Sequence, residues 1–205
     1  DPSSEIHQYV GENGIIYSYN ISFGVYAKNP NQQLIDTNSE LDGGNGNSNR
    51  PRMFNFANMG VNNQAATNFS EMVAGTGGQP ISSVVTDSYD MVAGSWPTNY
   101  NEVVMVLTEK NGIPVQSMYQ LGFITKEQYT SAKNQLANKQ DGKDFTLSYE
   151  DMLQKTFYLV PSSENYLKNE NGNYTQIKNP EYDMDGLINK AIPLKVSGII
   201  RPKED

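Results

Sequence analysis

The chain has 205 residues, 37% of them apolar and only 19% charged, with a formal charge of −8 and no cysteine. That length holds one sizeable core or two small subdomains. The acidic balance and the scattering of the 15 Lys and Arg argue against a nucleic-acid partner and against adhesion to anionic lipid. The missing thiols exclude disulfide frameworks, Cys-ligated zinc and thiol catalysis.

Neutral polar residues fill the charge deficit. Asn leads them, and 13 Tyr against 7 Phe add polar aromatics, a mixture that suits β-rich extracellular proteins. No apolar run approaches the ~20 residues that cross a bilayer. The start at Asp1-Pro2, without an initiator Met or an apolar signal region, reads as that of a domain excised from a longer protein.

Ile15, Tyr17, Tyr19, Ile21, Phe23 and Val25 alternate with Ser18, Asn20, Ser22 and Gly24, which predicts a strand over Gly14–Ala27 with one buried face. Gln33–Thr37 is expected to pair with it across the Asn29-Pro30-Asn31 turn. Residues 38–52, dominated by Gly, Asn and Ser, read as a mobile loop, because they bury too little surface to offset their ordering entropy. The apolar patch Met53, Phe54, Phe56 and Met59 follows, either a return to the core or a binding tip. Asn68–Ala74 reads as a short helix, and 74–80, rich in Gly, as a linker.

Ser83–Val92 and Glu102–Leu107 read as two strands joined at Gly94-Ser95-Trp96-Pro97. Pro114–Leu121 is predicted to be a helical turn ended by Gly122, a residue that tolerates the left-handed C-cap. Thr125 and Gln128 have capping-box spacing for the next helix, in which Tyr129, Ala132 and Leu136 share a face. Ser148 with Asp151 opens another short helix, and the strand Thr156–Val160 follows until Pro161 stops it. Asn165–Ile177 reads as a hairpin with a type I′ turn at Asn171-Gly172. A helix near Tyr182–Lys190 and a final strand Leu194–Ile200 complete the chain. No repeat of fixed period occurs and βαβ spacing is missing. The expected fold class is therefore α+β: mixed or antiparallel sheets with several short helices, in a single domain or two small subdomains.

Chemistry-bearing patterns are sparse. His7 is the one histidine, no Gly-x-Ser-x-Gly elbow accompanies it, and it reads as a solvated or locally bonded terminal residue. Gly75–Pro80 lacks the Lys of a phosphate loop. Glu181–Gly186 imitates the start of a calcium loop, but its twelfth position falls on Ile192. Asp183 and Asp185 are left as weak surface ligands or, more commonly, as acids favoured near a helix N-terminus. Glu150 and Asp151, adjacent on a helix, point in different directions, unlike a hydrolytic pair. Trp96 is either a partner hot spot or, the commoner role, an apolar plug anchoring its turn. No catalytic residue, cofactor or metal is assigned, and the chain reads as a non-enzyme.

Three segments, in order, carry a resemblance. They are Gly11-Glu-Asn-Gly-Ile-Ile-Tyr-Ser-Tyr19, the Tyr89–Gly122 stretch with its Gly-Ser-Trp-Pro, Asn-Glu-Val-Val-Met-Val and Leu-Gly motifs, and Leu187–Pro202. Together they resemble the extracytoplasmic (MacB-like periplasmic core) domain of MacB/FtsX-type ABC transporter permeases from Gram-positive bacteria. The resemblance implies flanking transmembrane helices outside this chain and a place on the extracellular face of the cell membrane. It also implies an ATP-binding cassette ATPase as partner, a dimer in the full transporter, and relay of ATP-driven motion to a protein or peptide cargo. It brings no catalytic residues and no cofactor. The contact surface expected on this reading is Met53, Phe54, Phe56, Met59 and Trp96. The alternative is a secreted carbohydrate- or protein-binding surface module.

Overall fold

The computed structural model describes residues 5, 23–37, 68–75, 78–138, 145–176 and 184–203. Among the described residues, six strands form the main sheet: β1 (Phe23–Lys28), β2 (Leu34–Asp36), β3 (Tyr89–Gly94), β4 (Glu102–Val106), β5 (Thr156–Pro161) and β8 (Ile192–Pro202). β6 (Tyr166–Lys168) and β7 (Tyr174–Gln176) make a separate two-stranded sheet. Short helices intervene: α1 (Ser83–Ser88), α2 (Val115–Gln120), α3 (Lys126–Ala137), α4 (Tyr149–Leu153) and α5 (Met184–Asn189). The fold is α+β, and the sheet is antiparallel except where β4 runs parallel to β8.

β8 organises the sheet because it is long enough for three partners. It pairs with β5 through Ile192–Lys195, with β3 through Gly198–Pro202, and with β4 through Lys195–Ile200. The β3 and β4 registers overlap along Gly198–Ile200, so these two strands take opposite edges of β8. Its burial follows this change of surroundings. Exposed and buried residues alternate from Pro193 to Val196, whereas Gly198, Ile199 and Ile200 are buried in succession, as in a strand covered on both faces. The main core gathers Val25 and Ala27 of β1, Met105 of β4, Met152 of α4, Phe157 of β5, and Leu194 and Ile199 of β8.

The period-two reading of the first strand holds where the structure describes it: Val25 and Ala27 are fully buried and Lys28 is exposed. Residues 14–22 of that expected strand lie outside the described residues. β2 pairs with β1 as expected, Ala27 facing Ile35 and Lys28 facing Leu34. Both capping boxes form, Thr125 with Gln128 and Ser148 with Asp151. Gly122 takes φ +72°. The amides of Gly122 and Phe123 donate to the carbonyls of Tyr119 and Met118 at 2.9 and 2.8 Å, a Schellman closure of α2.

Four expectations need correction. Asn68–Gly75 is not helical. The Asn68 side-chain amide donates across to the Thr37 carbonyl (2.6 Å) and to Gln120 Oε1 (3.1 Å). Phe69 meets Phe157 edge-on at 5.0 Å, so tertiary contacts override the local pattern. Ser83–Ser88 is a helix although its Val-Val-Thr run favours a strand, because buried Ser82 caps it through a bond from the Val84 amide (3.2 Å). The expected α3 face is only partly buried, since Ala132 is enclosed while Leu136 is 64% exposed. The β6–β7 hairpin forms, but only Gly172 of its turn has positive φ, at +83°. A type I′ turn would need positive φ at Asn171 as well.

The turn used there recurs. At Asn29–Gln33, Thr108–Gly112 and Asn169–Asn173, the first carbonyl accepts from the amide three residues on, and the first amide donates to the fifth carbonyl. A side-chain oxygen of the first residue also accepts from the fifth amide, at 2.9, 3.1 and 2.9 Å. The left-handed fourth position is held by Gln32, Asn111 and Gly172 in turn.

Lys155, between α4 and β5, ties three segments together. Its Nζ donates to the Lys28 carbonyl (2.7 Å) and the Gly122 carbonyl (2.6 Å), and lies 4.9 Å from the centre of the Phe123 ring. Burial pushes its pKa down to about 8 from the ordinary 10.5. The fold thus binds this proton less tightly than the unfolded chain does. The resulting penalty is fully present below pH 8 and is relieved as pH rises toward 10.5. Unfolding free energy measured in urea is expected to rise from pH 8 to about 9.5, and Lys155→Met is expected to abolish that rise. Tyr26, raised by burial and then by Asp36, acts in the opposite sense only above its ordinary value of 10.0.

Candidate partner-binding surface

The segment that joins β3 to β4, Ser95–Asn101, is built onto β8 by a close backbone approach. Gly94 has φ +77°, and a Cβ there would sit 2.3 Å from the Ser197 carbonyl oxygen. A Cβ on Gly198 would sit 2.4 Å from the Ser95 carbonyl oxygen. The Ser95 amide donates to the Ser197 carbonyl at 2.8 Å, sealing the contact. At the other end, the Lys195 amide donates to the Asn101 carbonyl at 2.9 Å. β3 and β4 therefore do not pair with each other, since β8 lies between them.

The tip of the segment is organised by one carboxylate. Glu102 Oε2 accepts from the amides of Thr98 (2.7 Å) and Asn99 (3.2 Å), and Oε1 accepts from the Asn99 side-chain amide (2.8 Å). These bonds, the Thr98 amide first, hold the Glu102 carboxyl below the usual carboxylate range. Tyr100, thus presented, is 89% exposed. Trp96 and Pro97 are half-buried beside it. Tyr100 is the residue that the sequence reading passed over. Its signal was its place between Asn99 and Asn101, where a turn lifts a side chain into solvent.

A second aromatic surface lies on the β6–β7 hairpin. Tyr166 and Lys168 of β6 stand on the same face as Tyr174 of β7, with Lys168 directly opposite Tyr174. Tyr174 is 69% exposed, and the Lys168 ammonium lies 6.0 Å from its ring centre.

The remaining candidates separate clearly. Met53, Phe54, Phe56 and Met59, His7 and Asp183 lie outside the described residues, as does the Asp185 side chain. Asp151 accepts from the Ser148 hydroxyl (2.6 Å) and Glu150 accepts from the Gln154 amide (3.1 Å), so both carboxylates serve α4 itself. Among the described residues, no group of three or more His, Asp or Glu is placed to hold a metal ion. No family model matches the chain, and neither a curated protein nor a solved structure matches it.

Gly198→Ala is expected to destabilise the fold by about 3 kcal/mol in urea titration, because backbone obstructs the new methyl group. Gly172→Ala, with open space around it, should lose only about 1 kcal/mol, from its left-handed φ alone. The Glu102 bonds contribute stability that is present above the ordinary carboxyl pKa of 4.5 and is lost as pH falls through the lowered folded value. The Thr98 and Asn99 amide resonances are expected to shift together on acidification in an NMR titration, and Glu102→Gln to remove that titration.

Proposed function

We propose that the chain is a non-catalytic extracellular domain of a MacB/FtsX-type ABC transporter permease. It relays ATP-driven motion to a cargo or partner protein in export or cell-envelope processes. The observation that carries this reading is the convergence of two motif-bearing segments on one strand. Tyr89–Gly94 and Glu102–Val106 flank β8, which lies within Leu187–Pro202, and the Gly-Ser-Trp-Pro turn is seated on β8 through Gly94 and Gly198. Motifs that are far apart in the chain thus serve a single packing unit, as expected of a domain that transmits force through its sheet. On this reading Tyr100, with Trp96 behind it, is the partner contact. The ATPase is reached through membrane helices outside the chain, and the domain stands on the extracellular face of the cell membrane.

The exposed Tyr166 and Tyr174 favour a second reading, a secreted carbohydrate-binding module, because flat aromatic faces beside a Lys donor suit sugar rings. One experiment separates the two. The parent gene is expected to encode an apolar span of about 20 residues before this segment and three after it. The full-length protein, extracted in detergent, is expected to copurify with a P-loop ATPase. A cleavable signal with no further span would overturn the permease reading. Retention on polysaccharide resins that is lost in Tyr174→Ala would then establish the second.

A further inference from the structure

The α2–α3 pair is held together from within and fastened to the sheet at the corner after α2, with Ile113 ahead of α2 packed on the same core. Inside the pair, the rings of Tyr119 and Tyr129 stack at 5.3 Å and 21°. Met118, Ile124 and Ala132 are buried, yet none of them belongs to the main core cluster. α3 buries only Ala132 along its whole length. The fastening lies at residues 120–123. Leu121 and Phe123 pack on the main core, Gln120 accepts from the Asn68 amide, and the Gly122 carbonyl accepts from Lys155. A Cβ on Gly122 would sit 2.9 Å from the Lys28 carbonyl, so no side chain separates the corner from the end of β1.

We propose that α2–α3 is a cooperative unit that opens from the sheet without unfolding it, and that Lys155 is the latch that sets how rarely it opens. The ammonium bonds two carbonyls from different segments, Lys28 and Gly122, and rests on the ring of Phe123. Opening the corner breaks all three contacts at once, whereas β5 and β8 keep their own ladders. The half-buried Gly122 carbonyl would be costly to leave without a partner, and the same nitrogen also holds the Lys28 carbonyl, so this one side chain dominates the polar part of the fastening. Regions with few buried apolar contacts are the ones that open below the global unfolding free energy. This inference does not depend on the permease reading.

Hydrogen exchange read by NMR tests it on the whole chain. In wild type at low urea, the amides of Leu121, Gly122, Phe123, Tyr129 and Asn138 are expected to share one opening free energy that lies below that of Ile199 and Ile200. In Lys155→Met, which keeps the apolar stem, those five amides should lose protection by about ten- to a hundredfold, and Ile199 and Ile200 by the same factor, because global unfolding loses the same contacts. Exchange of all these amides through a single global event in wild type would overturn the proposal. So would unchanged protection in α2–α3 in the variant, whether or not Ile199 and Ile200 lose theirs. The wild-type arm decides the matter even if the variant does not fold.

Discussion

At Gly94 and Gly198 two segments of backbone approach so closely that a methyl group on either would meet a carbonyl oxygen at 2.3 or 2.4 Å. This contact fixes where β3 ends relative to β8, and hence where the Gly-Ser-Trp-Pro turn departs from the sheet. Because the turn departs there, β4 returns on the far edge of β8 and runs parallel to it. Ile199 and Ile200, both buried, lie where strands pair with both edges of β8. A small-residue requirement at two positions thus precedes the hydrophobic core in the order of causes.

Around that apolar centre, the margins are governed by polar groups with defined partners. Three turns use one hydrogen-bond pattern, two short helices begin with reciprocal caps, and Glu102 gathers the amides of its own loop. Such devices fit a chain in which neutral polar residues outnumber charged ones. Each satisfies backbone groups that a short element leaves open, where few neighbouring side chains are available to cover them. Lys155 extends the same logic between segments, one side chain donating to the carbonyls that follow α2 and end β1.

Local signals in the sequence were reliable where the physics is local. The spacing of Thr125 with Gln128 and of Ser148 with Asp151 specified helix starts, Gly122 specified a helix end, and the alternation through Val25 and Ala27 specified a buried face. The failures are tertiary. Nothing near Asn68 announces that its amide reaches Thr37 and Gln120, and the β-branched Val84-Val85-Thr86 run conceals a helix that depends on buried Ser82. The role of Lys155 was invisible for the same reason, since its acceptors lie in remote parts of the chain. Of the surface, Trp96 drew attention by composition, whereas Tyr100 stands out only once the Glu102 bonds are seen to orient its turn.

The placement of β8 also bears on the order in which the fold can be made. Strands β1, β3, β4 and β5 all leave the ribosome before Ile192–Pro202, yet among the described residues β3 and β4 have their ladders only with that strand, and β5 has one of its two there. Before that strand is made, β2–β1–β5, β3 and β4 are three unjoined parts, with strand edges open to wrong pairings. Pairing of β3 and β4 with β8 is thus a long-range step that follows the synthesis of Ile192–Pro202. Truncation before that strand would leave β3 and β4 without a ladder while β1, β2 and β5 keep theirs.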